Sequence, residues 1–228
     1  MFRPMLTSTL GDFRDVECWI FDLDNTLYAW DANLHGAMEE RICLFVQREM
    51  GLDKGRAWEL QKTYYREFGT TLSGLMQHHG TNAEDYLAFV NDLDLSEITD
   101  EPRLVAGLAR PPGRRFIFTS NCGHHAMRVI EKLGIAHLFE DIWDIRTTAF
   151  VSKPHRCAYD AVIGKDNIAP QRTAMFDDII ANLHVPHQLG MATVWLRHAR
   201  PSASLAHVHH QTDDLSRFLQ IIEVRAPA

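Results

Sequence analysis

The stretch WIFDLDNTLY, residues 19–28, decides the fold. It opens as a run of large apolar residues, the mark of a strand buried on both faces of a parallel sheet. Asp22 interrupts the run, and Asp24 follows two residues later. A buried carboxylate is costly unless it is paired, hydrogen-bonded or bound to a metal. Two of them at the tip of a core strand therefore point to a site rather than to packing.

Beyond LYAW the pattern changes. Leu34, Met38, Ile42, Phe45 and Val46 recur at helical spacing up to Met50 and Gly51. A second helix is expected over 54–68, with Trp58, Tyr64, Tyr65 and Phe68 as its apolar positions, and two shorter ones over about 71–79 and 82–91. No strand pattern occurs between about 32 and 100, so this segment reads as an all-helical insertion. From Glu101 onward strands and helices alternate. A helix over 103–109 leads through RPPGR to the strand RFIFTS, and a helix carrying Met127, Ile130 and Leu133 ends at Gly134. A short strand DIWDI, a helix opened by Pro154, the strand TAMF, a helix ending near Gly190, the strand ATVWL and a last helix around 215–222 complete the series. The polar stretch before that last helix, with HVHH at 207–210, reads as a solvated histidine-rich loop. Strands and helices at this spacing form βαβ units around a parallel sheet with helices on both faces, a Rossmann-like α/β fold.

In open α/β sheets the ligand site lies outside the carboxyl ends of the strands. Those ends carry Asp22 and Asp24, then Thr119, Ser120 and Asn121, then Asp177 and Asp178, with Lys153-Pro154 in a loop at a helix start. Carboxylates gathered around one lysine suit a Mg²⁺ ion facing a phosphate, because Mg²⁺ takes oxygen ligands and uses one or two carboxylates plus substrate phosphate. A carboxylate also serves as a nucleophile, forming an aspartyl-phosphate. A second carboxylate two residues on can protonate the leaving oxygen and later activate water. A lysine and a hydroxyl would hold the charge on the transferring oxygens.

DLDNTLY, then FTSN, then SKP, then FDDIIANL resembles, in order and spacing, the four motifs of the haloacid dehalogenase (HAD) superfamily of hydrolases. The helical insert matches that superfamily's C1-type cap. The resemblance implies a core of residues 1–30 and 101–228 with a helical cap of residues 31–100. It makes Asp22 the nucleophile and a metal ligand, and Asp24 the general acid/base whose backbone carbonyl also ligates. Lys153 becomes the phosphate-stabilising lysine, and Asp178 a more direct metal ligand than Asp177, with Asn182 supporting the metal shell. Thr119 aligns best with the phosphate-binding hydroxyl. TSN departs from the family's usual TN, however, which leaves the choice between Thr119 and Ser120 open and displaces Asn121 by one. Ile179 stands where a small polar residue is usual. DNTLY and the insert segment YYREFGTTLSGLMQHHG are similar to the pyrimidine 5′-nucleotidase branch. The implied activity is a Mg²⁺-dependent phosphatase acting on a small phosphorylated metabolite, a pyrimidine nucleoside 5′-monophosphate in the narrower reading.

Taken singly, these residues have ordinary readings. Asp22 and Asp24 could cap a turn with Asn25 and Thr26, and Asp177-Asp178 or Thr119–Asn121 could cap helices. Tyr64, Tyr65 and Phe68 could stack on a base, though aromatics at helical spacing more often fill a core. His78 and His79 end a helix in solvent on this reading. His124 and His125 could approach the phosphate edge or simply cap their helix. A 2-haloacid dehalogenase would keep the aspartate nucleophile but needs neither a leaving-group proton nor a metal. A phosphomutase would keep the same aspartate, with the cap retaining the intermediate, and a binding module would use the fold without turnover.

Composition bounds the rest. The 228 residues carry a formal charge of −7 and no basic run, which disfavours a nucleic acid polymer as partner. No apolar run is long enough for a bilayer, and the first residues lack the apolar stretch of a leader, so no membrane association is expected. The four scattered cysteines form no C-x-x-C pair and read as reduced thiols of a cytoplasmic protein.

Overall fold

The computed structural model describes residues 13–29, 32–198 and 205–225. In chain order it contains β1 (Cys18–Phe21), α1 (Ala32–Met50), α2 (Lys54–Phe68), α3 (Thr71–His79), α4 (Ala83–Val90), α5 (Pro102–Ala109), β2 (Arg114–Phe118) and α6 (Gly123–Lys132). There follow β3 (Asp141–Trp143), α7 (Arg156–Asp166), β4 (Thr173–Asp177), α8 (His184–Leu189), β5 (Ala192–Leu196), β6 (His210–Thr212) and α9 (Leu215–Ile221). The six strands form one sheet in the order β3-β2-β1-β4-β5-β6, parallel throughout. β1 therefore lies inside the sheet, and the strand order reverses between it and β4. That reversal is where an open α/β sheet leaves a crevice for ligands.

The apolar run of β1 alternates between two cores. Trp19 and Phe21 join Ile117, Phe176 and Val194 on one face, under Leu108 of α5, Val129 of α6 and Phe218 of α9. Ile20 joins Phe116, Met175 and Trp195 on the other, under Tyr159 and Val162 of α7 and Val185 of α8. Each such large side chain stabilises the fold by about 1.5–3 kcal/mol on burial. The Phe21 and Phe176 rings stack with centroids 4.7 Å apart, which locks the β1–β4 register beside the crevice.

The insert is helical, as its periodicity requires. Asp53, Thr70 and Asn82 each accept a hydrogen bond from a first-turn amide and so start α2, α3 and α4. Tyr64 of α2 is buried against α3, where a Cβ on Gly74 would fall 2.4 Å from its ring. Only glycine lets these two helices approach so closely.

Two expectations are corrected. α7 begins at Arg156, after the N-cap His155, so Pro154 lies in the preceding turn, joined to Lys153 by a cis peptide bond, and opens no helix. The turn is held instead by the His155 amide donating to the Ser152 carbonyl, a signal invisible in local composition. His210, read as part of a loop, begins the edge strand β6 paired to β5. Three polar residues carry no strand pattern of their own, so this pairing is imposed by β5.

Candidate active site

The site is built on consecutive strand tips. The register that pairs Phe21 with Ile117 and Phe176 brings Asp22, Phe118 and Asp177 level. The Asp22 amide continues the ladder by donating to the Phe176 carbonyl at 2.9 Å. Into the space between these tips comes Lys153. Its Nζ donates to Asp22 Oδ1 at 2.7 Å, Asp177 Oδ2 at 2.8 Å and the Phe118 carbonyl at 2.8 Å. All three ammonium donors are thereby used, and the lysine side chain is only 2% exposed.

Charge crowds this edge. One carboxylate oxygen from each of Asp22, Asp177 and Asp178 lies within 4.8 Å of the others. Burial, joined by repulsion from Asp177 and Asp24, pushes the Asp22 carboxyl well above its ordinary range although Lys153 pulls it down. Burial opposes the Lys153 charge, but Asp177 and Asp22 outweigh it and hold the amine above its ordinary value. A single ammonium thus faces a buried acidic trio. An all-oxygen donor set with excess negative charge is what a hard divalent cation such as Mg²⁺ fits.

The two acids of the fourth motif have different surroundings. Asp177 is held by Lys153, by the Ile179 amide at 2.9 Å and by Asn182 Nδ2 at 3.0 and 3.1 Å to its two oxygens. Asp178 Oδ2 accepts from Asn25 Nδ2 at 2.7 Å, and the Asp178 carbonyl accepts from the Trp195 indole at 3.0 Å. Asn182 therefore orients Asp177, with Tyr159 donating to the Asn182 carbonyl from behind. Ile179 is 44% exposed at the rim.

After β1 the chain turns sharply. Asn25 sits at φ 64, in the left-handed region that asparagine tolerates, and the amides of Thr26 and Leu27 return to the Leu23 carbonyl. The turn brings the Tyr28 hydroxyl to Asp24 Oδ1 at 2.6 Å. His125 of α6, fully buried, places Nε2 3.5 Å from the same oxygen.

Thr119 follows β2 and is buried; its amide donates to Trp143 and its hydroxyl accepts from the Asn121 amide at 3.0 Å. Asn121 Oδ1 accepts from the Cys122 amide, and the Cys122 thiol caps α6. Ser120 and Asn121 are half-buried on the same loop. The structure thus brings Asp22, Lys153, Asp177 and Asp178 into one cluster, with Asp24 just past the same strand tip as Asp22 and the 119–121 loop past the tip of β2. Sequence alone gives Tyr28, Asn25 and His125 no definite place in this site. The spacing of Asp24 and Tyr28 is visible there, whereas His125 meets Asp24 only through the β1–β2 pairing.

Tyr64 serves the packing of the insert: its hydroxyl shares a hydrogen bond with His79 at 2.6 Å and its ring stacks on His78. Tyr65 is 55% exposed, and Phe68 is half-buried beside Tyr64.

Comparison with known proteins gives the class. A family model described as a haloacid dehalogenase-like hydrolase matches residues 16–188, and the chain belongs to that family. It is 27% identical over 192 residues to phosphate metabolism protein 8 of Saccharomyces cerevisiae; the match covers 77% of this chain and 60% of that one. Its fold is similar to a HAD phosphatase from Thermococcus onnurineus, with a TM-score of 0.62, 15% identity and coverage of 90% and 97% of the two chains. It is also similar to the HAD-hydrolase YfnB of Bacillus subtilis, solved bound to magnesium, with a TM-score of 0.58, 16% identity and coverage of 91% and 98%. A 2-haloacid dehalogenase from Pseudomonas syringae pv. Tomato DC3000 gives a TM-score of 0.57 at 14% identity over 90% and 97%. At such identities the structural likeness shows the fold alone. No helix among the described residues is long and apolar enough to cross a membrane.

Proposed function

We propose that the protein is a phosphomonoesterase that passes a phosphoryl group through Asp22. The observation that carries this reading is the Lys153 ammonium locked between Asp22 and Asp177 beside Asp178, with Asp24 two residues from Asp22. Asp22, Asp178 and the Asp24 carbonyl would hold Mg²⁺, with Asp177 beside them; the ion would offset repulsion between carboxylate and phosphate. Asp22 then attacks phosphorus: the Asp22–phosphorus bond forms, the bond to the leaving oxygen breaks, and Asp24 gives that oxygen its proton. In the second half Asp24 takes a proton from water, whose oxygen displaces Asp22 and frees inorganic phosphate. Lys153 holds Asp22 aimed and faces the charge of the phosphoryl oxygens, with Thr119, Ser120 and Asn121 bounding the phosphate pocket. A dehalogenase would have no use for a proton donor at Asp24 or for the acidic trio.

On this reading residues 31–100 form the cap, and the substrate is a pyrimidine nucleoside 5′-monophosphate handled in the cytoplasm. Support comes from where the insert touches the core. A Cβ on Gly69, between α2 and α3, would fall 2.8 Å from Ser152 Oγ, so the α2–α3 turn lies against the residue preceding Lys153. Ser73 Oγ donates to the Phe150 carbonyl in the same contact. On this reading Phe68, next to this turn, would be the aromatic that meets a base; its ring also packs on Tyr64 and His78. All four thiols are free, in keeping with a reducing compartment.

The test is phosphate release from p-nitrophenyl phosphate with Mg²⁺ and with EDTA, then from UMP, CMP, AMP and GMP. Asp22→Asn should lower kcat by at least about 10³-fold with an unchanged circular dichroism spectrum. Activity within tenfold of wild type would sink the nucleophile assignment. Equal rates on purine and pyrimidine nucleotides would overturn the substrate and leave the phosphatase standing.

A further inference from the structure

α6 presents His125, Ala126, Val129 and Ile130 to the interior. Three of these four are apolar, and a leucine at 125 would suit that face. His125 is instead an imidazole with no exposed surface, and among the described residues neither ring nitrogen has a hydrogen-bond partner. A fully buried polar ring without partners is destabilising, so its presence calls for a reason beyond packing. The polar group it faces is Asp24, whose Oδ1 lies 3.5 Å from Nε2. That gap is just too long for a good hydrogen bond and closes with a shift of a few tenths of an ångström.

The same Oδ1 already accepts the Tyr28 hydroxyl at 2.6 Å. Two donors converging on one carboxyl oxygen leave the other to carry the transferable proton. We propose that His125 is a positioning residue which, with Tyr28, fixes Asp24 so that Oδ1 is the anchored oxygen and Oδ2 delivers the proton. This inference rests on the phosphatase reading above and adds to it the division of labour between the two oxygens. As the phosphorus–oxygen bond breaks, the Oδ2 proton passes to the leaving oxygen and Asp24 becomes a carboxylate. The Nε2–H and the Tyr28 O–H then hold the negative charge on Oδ1 until water returns a proton to Oδ2. His125 itself exchanges no proton and touches no substrate.

The N-terminal end of α6, which carries His125, is held by two further contacts. The Cys122 thiol accepts from the His125 amide, and the Gly123 amide donates to Asp144 Oδ2 at 2.8 Å. A Cβ on Gly123 would sit 3.2 Å from that carboxylate, tighter than an ordinary contact, so the glycine lets the helix start close to β3.

The test separates positioning from stability by varying the leaving group in the full-length enzyme with Mg²⁺. p-Nitrophenolate leaves without help, whereas an alkoxide needs the proton. In His125→Leu, kcat on an alkyl phosphate should fall at least tenfold more than kcat on p-nitrophenyl phosphate, with KM changed less than about threefold on both. His125→Gln, which retains an N–H donor, should recover most of the loss. Tyr28→Phe, which removes the other donor to Oδ1, should show the same leaving-group selectivity and serves if His125→Leu does not fold. Equal losses on the two substrates, or no loss, would overturn the proposal while wild-type turnover of both keeps the phosphatase reading intact. A wild type that releases no phosphate from either would overturn both.

Discussion

Two ion pairs tie distant parts of this molecule together, and they differ in nearly every physical respect. Lys153 is 2% exposed and binds Asp22 and Asp177 across the strand tips. Arg146 is 38% exposed and reaches Glu84 of α4, 60% exposed, from the loop after β3. Water and salt screen the second pair, so it contributes about 1 kcal/mol at most. The first is desolvated, and removing one partner strands charge in the interior. The difference lies in how much each contact costs to break. The strand-tip cluster is held by several buried hydrogen bonds, while the Glu84–Arg146 contact between insert and core is exposed and costs little to break.

The largest expected effect comes from breaking the buried pair. Lys153→Met keeps the length of the side chain but leaves Asp22 and Asp177 facing each other uncompensated. It should cost about 3–5 kcal/mol in denaturant unfolding and lower kcat by at least about 10²-fold. A loss below about 1 kcal/mol would mean that the pair is not buried in solution. The second contrast lies within the acidic pair. Asp178→Ala should raise the Mg²⁺ concentration for half-maximal activity by about tenfold or more, measured by titration of EDTA-treated enzyme. Asp177→Ala should chiefly destabilise, because Lys153 and Asn182 lose their shared acceptor. A greater rise in Mg²⁺ requirement for Asp177→Ala would reverse the two roles. A smaller effect is expected at the surface: Glu84→Ala should move the melting temperature by no more than a few degrees, and any kinetic change should appear in KM or product release. A loss comparable to that of Lys153→Met would mean that both pairs are equally desolvated.

The smallest effect concerns pH. Burial, with His209 adding to it, holds His210 below the ordinary histidine value, and its ring packs against Phe13 and Phe218. Burial and His184 do the same for His207. A depressed histidine value means that the folded state prefers the neutral ring. Its contribution is therefore fully present above the unfolded value of about 6.5 and is lost as pH falls through and below it. The melting temperature should drop by a few degrees between about pH 7.5 and pH 5.5, and less in His210→Gln. No change on acidification would contradict the packing at β6.

What was legible in the sequence follows from which signals are local. β1 and β4 could be read because acids at the tips of apolar runs violate a strong rule, and α1 to α4 because their periodicity and caps lie within each helix. β6 was not legible, since three polar residues become a strand only when β5 offers its edge. The start of α7 is not legible locally, because a proline before a helix is a good local signal that a turn hydrogen bond overrides here. Tyr28 could have been assigned from its spacing to Asp24. His125 could not, because the chain has thirteen histidines and only the fold shows which of them faces this carboxylate.

The place of β1 in the sheet also governs how the chain reaches its native state. Cys18 pairs with Arg114 on one side and with Thr173 on the other, so β1, the first strand among the described residues, is completed only when β4 has been synthesised. Closing such long loops is entropically slow, and a strand this apolar is a hazard while it waits. The helical insert, by contrast, is built from neighbouring helices whose contacts are short-range and can form early. The candidate site needs residues from both ends of that delay, because Asp22 follows β1 and Asp177 ends β4. Asp22 meets Lys153 and Asp177 only when the sheet has closed around it, so the buried charge cluster and the completed sheet form together.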